Sequence, residues 1–145
     1  MIKPVMKTDP AVSLTAMCID DSELDLMLNE RILRRSGVFD TILKFTSAAE
    51  ALDYLRGHIG PVDAIFLDVN MPAKNGFEFL EAATSEFGDD FARCVVIMLT
   101  SSLNPDDETR ARSFAAVRDF LTKPLSVESS RQVAEWVHTS LAAPD

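Results

Sequence analysis

The chain has 145 residues, one domain's worth at roughly 100 to 200 residues per domain, which argues against a two-domain enzyme. Hydrophobic residues make up 47% and charged residues 26%, close to the globular average, so disorder and low-complexity architectures are excluded. The formal net charge of −9 repels polyphosphate backbones and anionic headgroups, which sets nucleic acid and membrane surfaces aside as partners.

The longest apolar stretch, Cys94 to Leu99, falls far short of the roughly 20 residues of a spanning helix. Residues 1–13 lack the apolar run of a secretory signal, so a cytoplasmic protein is expected. Cys18 and Cys94 lie inside apolar runs without CxxC spacing, which predicts reduced, buried thiols.

In chain order, Leu14 to Ile19 reads as a first strand, apolar enough to be buried on both faces. Asp21-Ser22 opens a helix that stops at Gly37, with Leu24, Met27, Leu28 and Ile32 assigned to its core stripe and Leu26 and Leu33 to the other side. Thr41 to Phe45 is the second strand, and Ser47-Ala48-Ala49-Glu50 a capping box for a helix ending near Gly57 and Gly60-Pro61. Ala64 to Val69 is the third strand, followed by a helix from Gly76 to Phe87 that stops at Gly88. A long connection, Ser85 to Phe91, leads to the fourth strand, Cys94 to Leu99. Asn104-Pro105-Asp106-Asp107-Glu108 supplies an N-cap, a first-turn proline and acids that complement a helix dipole. Asp119 to Thr122 is the last strand, and Ser126 opens a final helix through Leu141.

Strict alternation of strand and helix predicts an α/β fold: a doubly wound, flavodoxin-like five-stranded parallel sheet of order 2-1-3-4-5, covered on both faces. Ligands of such sheets bind beyond the carboxyl ends of the strands. There the sequence places Asp20-Asp21, Asp68, Thr100-Ser101-Ser102 and Lys123-Pro124. Converging carboxylates repel unless a cation neutralises them, and oxygen-only ligands select a hard ion, Mg²⁺ first. Thr100 can donate to a phosphate oxygen and Lys123 can neutralise another, so the inventory suits phosphoryl transfer. Asp68, after the buried run Ala-Ile-Phe-Leu of the central third strand, is the candidate nucleophile.

This constellation resembles the response-regulator receiver domain of two-component signalling. The resemblance rests on Cys-Ile-Asp20-Asp21, on Phe66-Leu67-Asp68-Val69-Asn70-Met71-Pro72 followed by Asn75-Gly76, on Leu99-Thr100-Ser101, and on Asp119-Phe120-Leu121-Thr122-Lys123-Pro124. It implies that Asp68 accepts a phosphoryl group from a phosphohistidine on a sensor histidine kinase or histidine phosphotransfer protein. It implies that Asp21, Asp68 and the Asn70 backbone carbonyl bind Mg²⁺ directly, with Asp20 acting through water. Thr100 and Lys123 would hold phosphoryl oxygens, and a cis peptide is expected at Lys123-Pro124. The family couples phosphorylation to movement of the threonine and of an aromatic three residues before the lysine, here Phe120, which has no hydroxyl to donate. Inward movement of Phe120 would alter a face made by the fourth helix, fifth strand and fifth helix, where Leu103, Phe114 and Trp136 are the large apolar candidates for a protein target. Ala115-Ala116-Val117-Arg118 departs from the Gly-Ala pair common before the fifth strand.

The expected organisation is an N-terminal tail (1–13), a receiver domain (14–141), a C-terminal tail (142–145) and no output domain, with phosphorelay or direct target binding as output. Two alternatives remain: a haloacid-dehalogenase-type Mg²⁺-dependent phosphatase, disfavoured by Asn at position 70 where a general acid is needed, and a receiver-fold scaffold without phosphorylation. Leu26 and Leu33 pack on a neighbouring loop or form a docking surface for a histidine-bearing helix bundle. His58 and His138 are expected in solvated or capping roles, and Trp136 half-buried.

Overall fold

The structure, a computed structural model, describes residues 14–142; the expected tails at 1–13 and 143–145 lie outside the described residues. Five apolar runs form β1 (Leu14–Ile19), β2 (Phe39–Phe45), β3 (Ala64–Asp68), β4 (Val95–Thr100) and β5 (Val117–Thr122). They pair in parallel in the order β2-β1-β3-β4-β5, as expected. Between and after them run α1 (Glu23–Ser36), α2 (Ala48–His58), α3 (Gly76–Phe87), α4 (Asp89–Ala92), α5 (Pro105–Arg112) and α6 (Val127–Ala142).

Alternation along the central strands divides the core in two. Met17, Ile19, Ile65, Leu67, Val96 and Met98 point into one half, with Leu52 and Leu55 of α2, Phe79 and Leu80 of α3 and Ala111 of α5. Cys18, Phe66, Ile97 and Leu99 point into the other, under Leu33 of α1 and Val133 and Val137 of α6. Both cysteines are buried, and burial, the largest influence, pushes the Cys18 thiol up to about 12.

Helix ends follow the capping chemistry. Ser22, Ser47 and Asn104 each accept a backbone N–H of the first turn, and the Ser126 hydroxyl accepts from the Ser129 N–H at 3.0 Å. The capping box expected at Ser47 is only half formed, because Glu50 turns to the Thr46 hydroxyl at 3.4 Å. A complete one stands at Asn75 and Glu78, with bonds of 2.9 and 3.0 Å.

Three further features depart from the sequence reading. The stripe on α1 is largely inverted: Leu26 and Leu33 are buried with Asn29 and Ser36, Leu24, Met27 and Leu28 are 59%, 49% and 40% exposed, and of the expected stripe Ile32 alone packs, half-buried, against the core. Six apolar residues spread around this helix leave its period ambiguous, and the two small polar residues on the buried face hide it. The connection after α3 contains the short α4, where Gly88 breaks the preceding helix at φ 55°. One further turn then seats the buried Phe91 edge-on against Phe79 at 6.0 Å. Finally, β2 and β5 each start two residues earlier than expected, at Phe39 and Val117; Phe39 is buried at 4% and packs edge-on against Phe66.

Candidate functional site

The carboxyl ends of β1, β3, β4 and β5 bring Asp20, Asp68, Thr100 and Lys123 to one edge of the sheet. Backbone bonds tie these ends together: the Asp20 N–H donates to Phe45 O at 3.1 Å, Val69 N–H to Leu99 O at 3.0 Å, and Lys123 N–H to Thr100 O at 2.7 Å. Carboxylate oxygens of Asp20, Asp21 and Asp68 all lie within 4.8 Å of one another. Asp20 and Asp68 are buried and Asp21 is exposed, so the cluster opens to solvent on one side.

Lys123 compensates this charge. Its Nζ stands 2.7 Å from Asp20 Oδ2 and 3.2 Å from Asp68 Oδ1. It also lies 2.8 Å from Asp25 Oδ2 on α1, a partner the sequence reading missed. Burial would lower the ammonium's pKa, but the hydrogen bonds to Asp20 and Asp25 outweigh it and raise the group well above its ordinary value. Asp68 is pushed up to about 6, first by burial and then by the charge of Asp20, with Lys123 opposing. One ammonium therefore leaves the carboxylates under-neutralised, and the donor set fits a hard divalent cation.

Asp68 is held by a close backbone approach. The loop after β3 returns so that the Gly76 N–H donates to Val69 O at 2.9 Å. A Cβ at position 76 would stand 2.6 Å from the Asp68 carbonyl oxygen and 3.2 Å from Val69 Cα, so only glycine fits. The Lys123-Pro124 peptide is cis, as the resemblance led one to expect.

Thr100 is 1% exposed. Its hydroxyl donates to Ser102 O at 2.9 Å and accepts from the Ser102 N–H at 3.3 Å, which engages it with its own loop. Phe120, expected to move inward on phosphorylation, is already buried at 4% in the core half that holds Ala111 and Ala116. Asn70 is exposed at the start of the β3–α3 loop. His58 is exposed, its Nδ1 2.9 Å from Tyr54 O and its ring stacked on Tyr54. His138 is half-buried. Trp136 is half-buried too, with the Arg118 guanidinium 5.0 Å from its ring. Among the described residues, no helix is long and apolar enough to cross a membrane.

The comparisons agree with this geometry. The chain is 31% identical over 126 residues to a two-component response regulator of Oryza sativa subsp. japonica, a match covering 86% of this chain but only 17% of that much longer protein. It is 31% identical over 133 residues to a probable methanogenesis regulatory protein of Methanothrix harundinacea, covering 89% of this chain and 82% of the relative. The crystal structure of a two-component response regulator from Cytophaga hutchinsonii superposes with a TM-score of 0.82 at 26% identity, over 87% of this chain and 98% of that one. Residues 16–135 match the response regulator receiver domain, and the chain belongs to that family.

Proposed function

We propose that this receiver domain accepts a phosphoryl group on Asp68 from a phosphohistidine of a sensor histidine kinase or histidine phosphotransfer protein. The observation that carries the reading is the buried Asp68 carboxylate at the end of the central strand, 3.2 Å from Lys123 and beside two further carboxylates. In the transfer an Asp68 oxygen forms the new O–P bond as the N–P bond breaks. The electron pair stays on the imidazole nitrogen, which takes a proton from water. Asp21, Asp68 and the Asn70 carbonyl would hold Mg²⁺, with Asp20 acting through water. The ion would offset the negative charge gathered at the acceptor. Lys123 would neutralise one phosphoryl oxygen and Thr100 would donate to another.

Thr100 can do so only by leaving Ser102, so the conformational readout is assigned first to the loop 101–104, on which Leu103 is 61% exposed. Phe120, already inside, needs no inward movement. A target recognising the phosphorylated form would bind the face of α5, β5 and α6 that borders this loop. The exposed Leu24, Met27 and Leu28 of α1, on the helix that opens beside Asp20 and Asp21, suit docking of a histidine-bearing helix bundle. The net charge of −9 accords with a protein that binds no nucleic acid, and a cytoplasmic location is part of the same reading.

The phosphatase alternative lacks its general acid, since the position two residues after Asp68 is the exposed Asn70. A scaffold without phosphorylation would have no use for the full set of Asp20, Asp21, Asp68, Thr100 and Lys123. The test is transfer of label from a phosphorylated histidine phosphotransfer protein. Label should move to this chain with Mg²⁺ and stay on the donor with chelator; retention on the donor in both cases contradicts the reading.

A further inference from the structure

A lysine ammonium has three N–H donors, and three carboxylates surround that of Lys123: Asp20 at 2.7 Å, Asp25 at 2.8 Å and Asp68 at 3.2 Å. Asp20 and Asp68 also belong to the cluster suited to a cation, whereas Asp25 stands outside it. Local structure explains why Asp25 is available. It is the third residue of α1, a position from which an acid commonly turns back to the N-cap N–H. That N–H, of Ser22, donates instead to Asp20 Oδ1 at 2.9 Å. The Ser22 hydroxyl accepts the Asp25 N–H at 3.2 Å, and the Asp25 side chain reaches across to the loop after β5.

We propose that Asp25 is a positioning residue that competes with the phosphoryl group for Lys123, drawing the ammonium toward α1. This deepens the phosphoacceptor reading and rests on it. A cation at the cluster competes with Lys123 for Asp20 and Asp68 but leaves Asp25 in place as the lysine's partner. An anion on Asp68 must therefore draw Lys123 away from Asp25. Replacing Asp25 by Asn has two opposite consequences. Lys123 leans harder on Asp20 and Asp68, which weakens Mg²⁺ binding, while its freed charge tightens binding of a phosphoryl-like anion.

The experiment titrates Mg²⁺ alone, then beryllofluoride at saturating Mg²⁺, into wild type, Asp25→Asn and Glu23→Gln, following backbone amide shifts. Glu23, exposed in the same helical turn, loses the same charge in its variant and serves as the control for a general field effect. Asp25→Asn should weaken Mg²⁺ and tighten beryllofluoride, each by about three- to fivefold, the scale of one partly exposed ion pair. Glu23→Gln should move either affinity by less than about twofold. Unchanged affinities in Asp25→Asn, or equal changes in the two variants, overturn the proposal while leaving the acceptor reading intact. Failure of wild type itself to bind beryllofluoride overturns both.

Discussion

Gly76 lies so close beneath the backbone of Asp68 that a Cβ on it would stand 2.6 Å from the Asp68 carbonyl oxygen. The first turn of α3 and the end of β3 are thereby packed together through main chain. Gly76→Ala has to push the two apart, and overpacking of this kind costs about 1–3 kcal/mol. Urea unfolding should show a lower midpoint with an unchanged slope, together with slower phosphorylation by acetyl phosphate. A midpoint equal to wild type would mean that the loop between them yields freely.

The raised Asp68 carboxyl makes this residue a destabilising group in the metal-free fold. Its native pKa of about 6 exceeds the ordinary 3.8, so between these values the native state binds more protons than the unfolded state. Stability from this group is therefore present at low pH and is lost as pH rises through about 6. Asp68→Asn, neutral throughout, should be more stable than wild type at pH 7.5 in chelator, by at most about 3 kcal/mol. The difference should shrink toward pH 4. Denaturant melts across this range check the sign; a constant difference would contradict it.

The same proton competes with a cation. Mg²⁺ affinity should be steady above about pH 7 and fall as pH drops through 6, approaching tenfold per unit if the proton on Asp68 must leave first. Calorimetric titrations at several pH values would show it. Affinity independent of pH down to 5 would remove Asp68 from the ligand set.

Thr100→Val keeps the shape of a buried side chain and removes both hydroxyl bonds to Ser102. The fold should lose about 1 kcal/mol, while beryllofluoride binding weakens and amide changes in residues 101–104 disappear. Persistence of those changes would place the switch elsewhere.

On α1, Leu24→Asp combined with Leu28→Asp alters only exposed positions, so stability should move by less than about 0.5 kcal/mol. Acceptance from acetyl phosphate should be retained, and acceptance from a histidine-bearing protein should fall at least tenfold. Equal loss with both donors would argue against a docking surface.

Much of this was legible in the chain. The strand order and the four groups at the strand ends follow from alternation and from the residues that close each apolar run, because a parallel sheet puts every carboxyl end on one edge. What escaped depended on orientation or on contacts distant in sequence. Asp25 reads as an ordinary first-turn acid, and only the placement of α1 against the loop after β5 brings it to Lys123, 98 residues away. The buried face of α1 was hidden by leucines on both sides, with Asn29 and Ser36 among the buried residues. The burial of Phe120 belongs to tertiary packing, which a strand's local pattern does not report.

Trapping the aspartyl phosphate tests Asp68 as the acceptor most directly. After incubation with acetyl phosphate and Mg²⁺, borohydride reduces an acyl phosphate to the alcohol, so the modified aspartate is read as homoserine by peptide mass spectrometry. Homoserine is expected at position 68 alone, and none in Asp68→Asn or without Mg²⁺. Homoserine at another aspartate in the wild-type protein, or none at position 68, would contradict it.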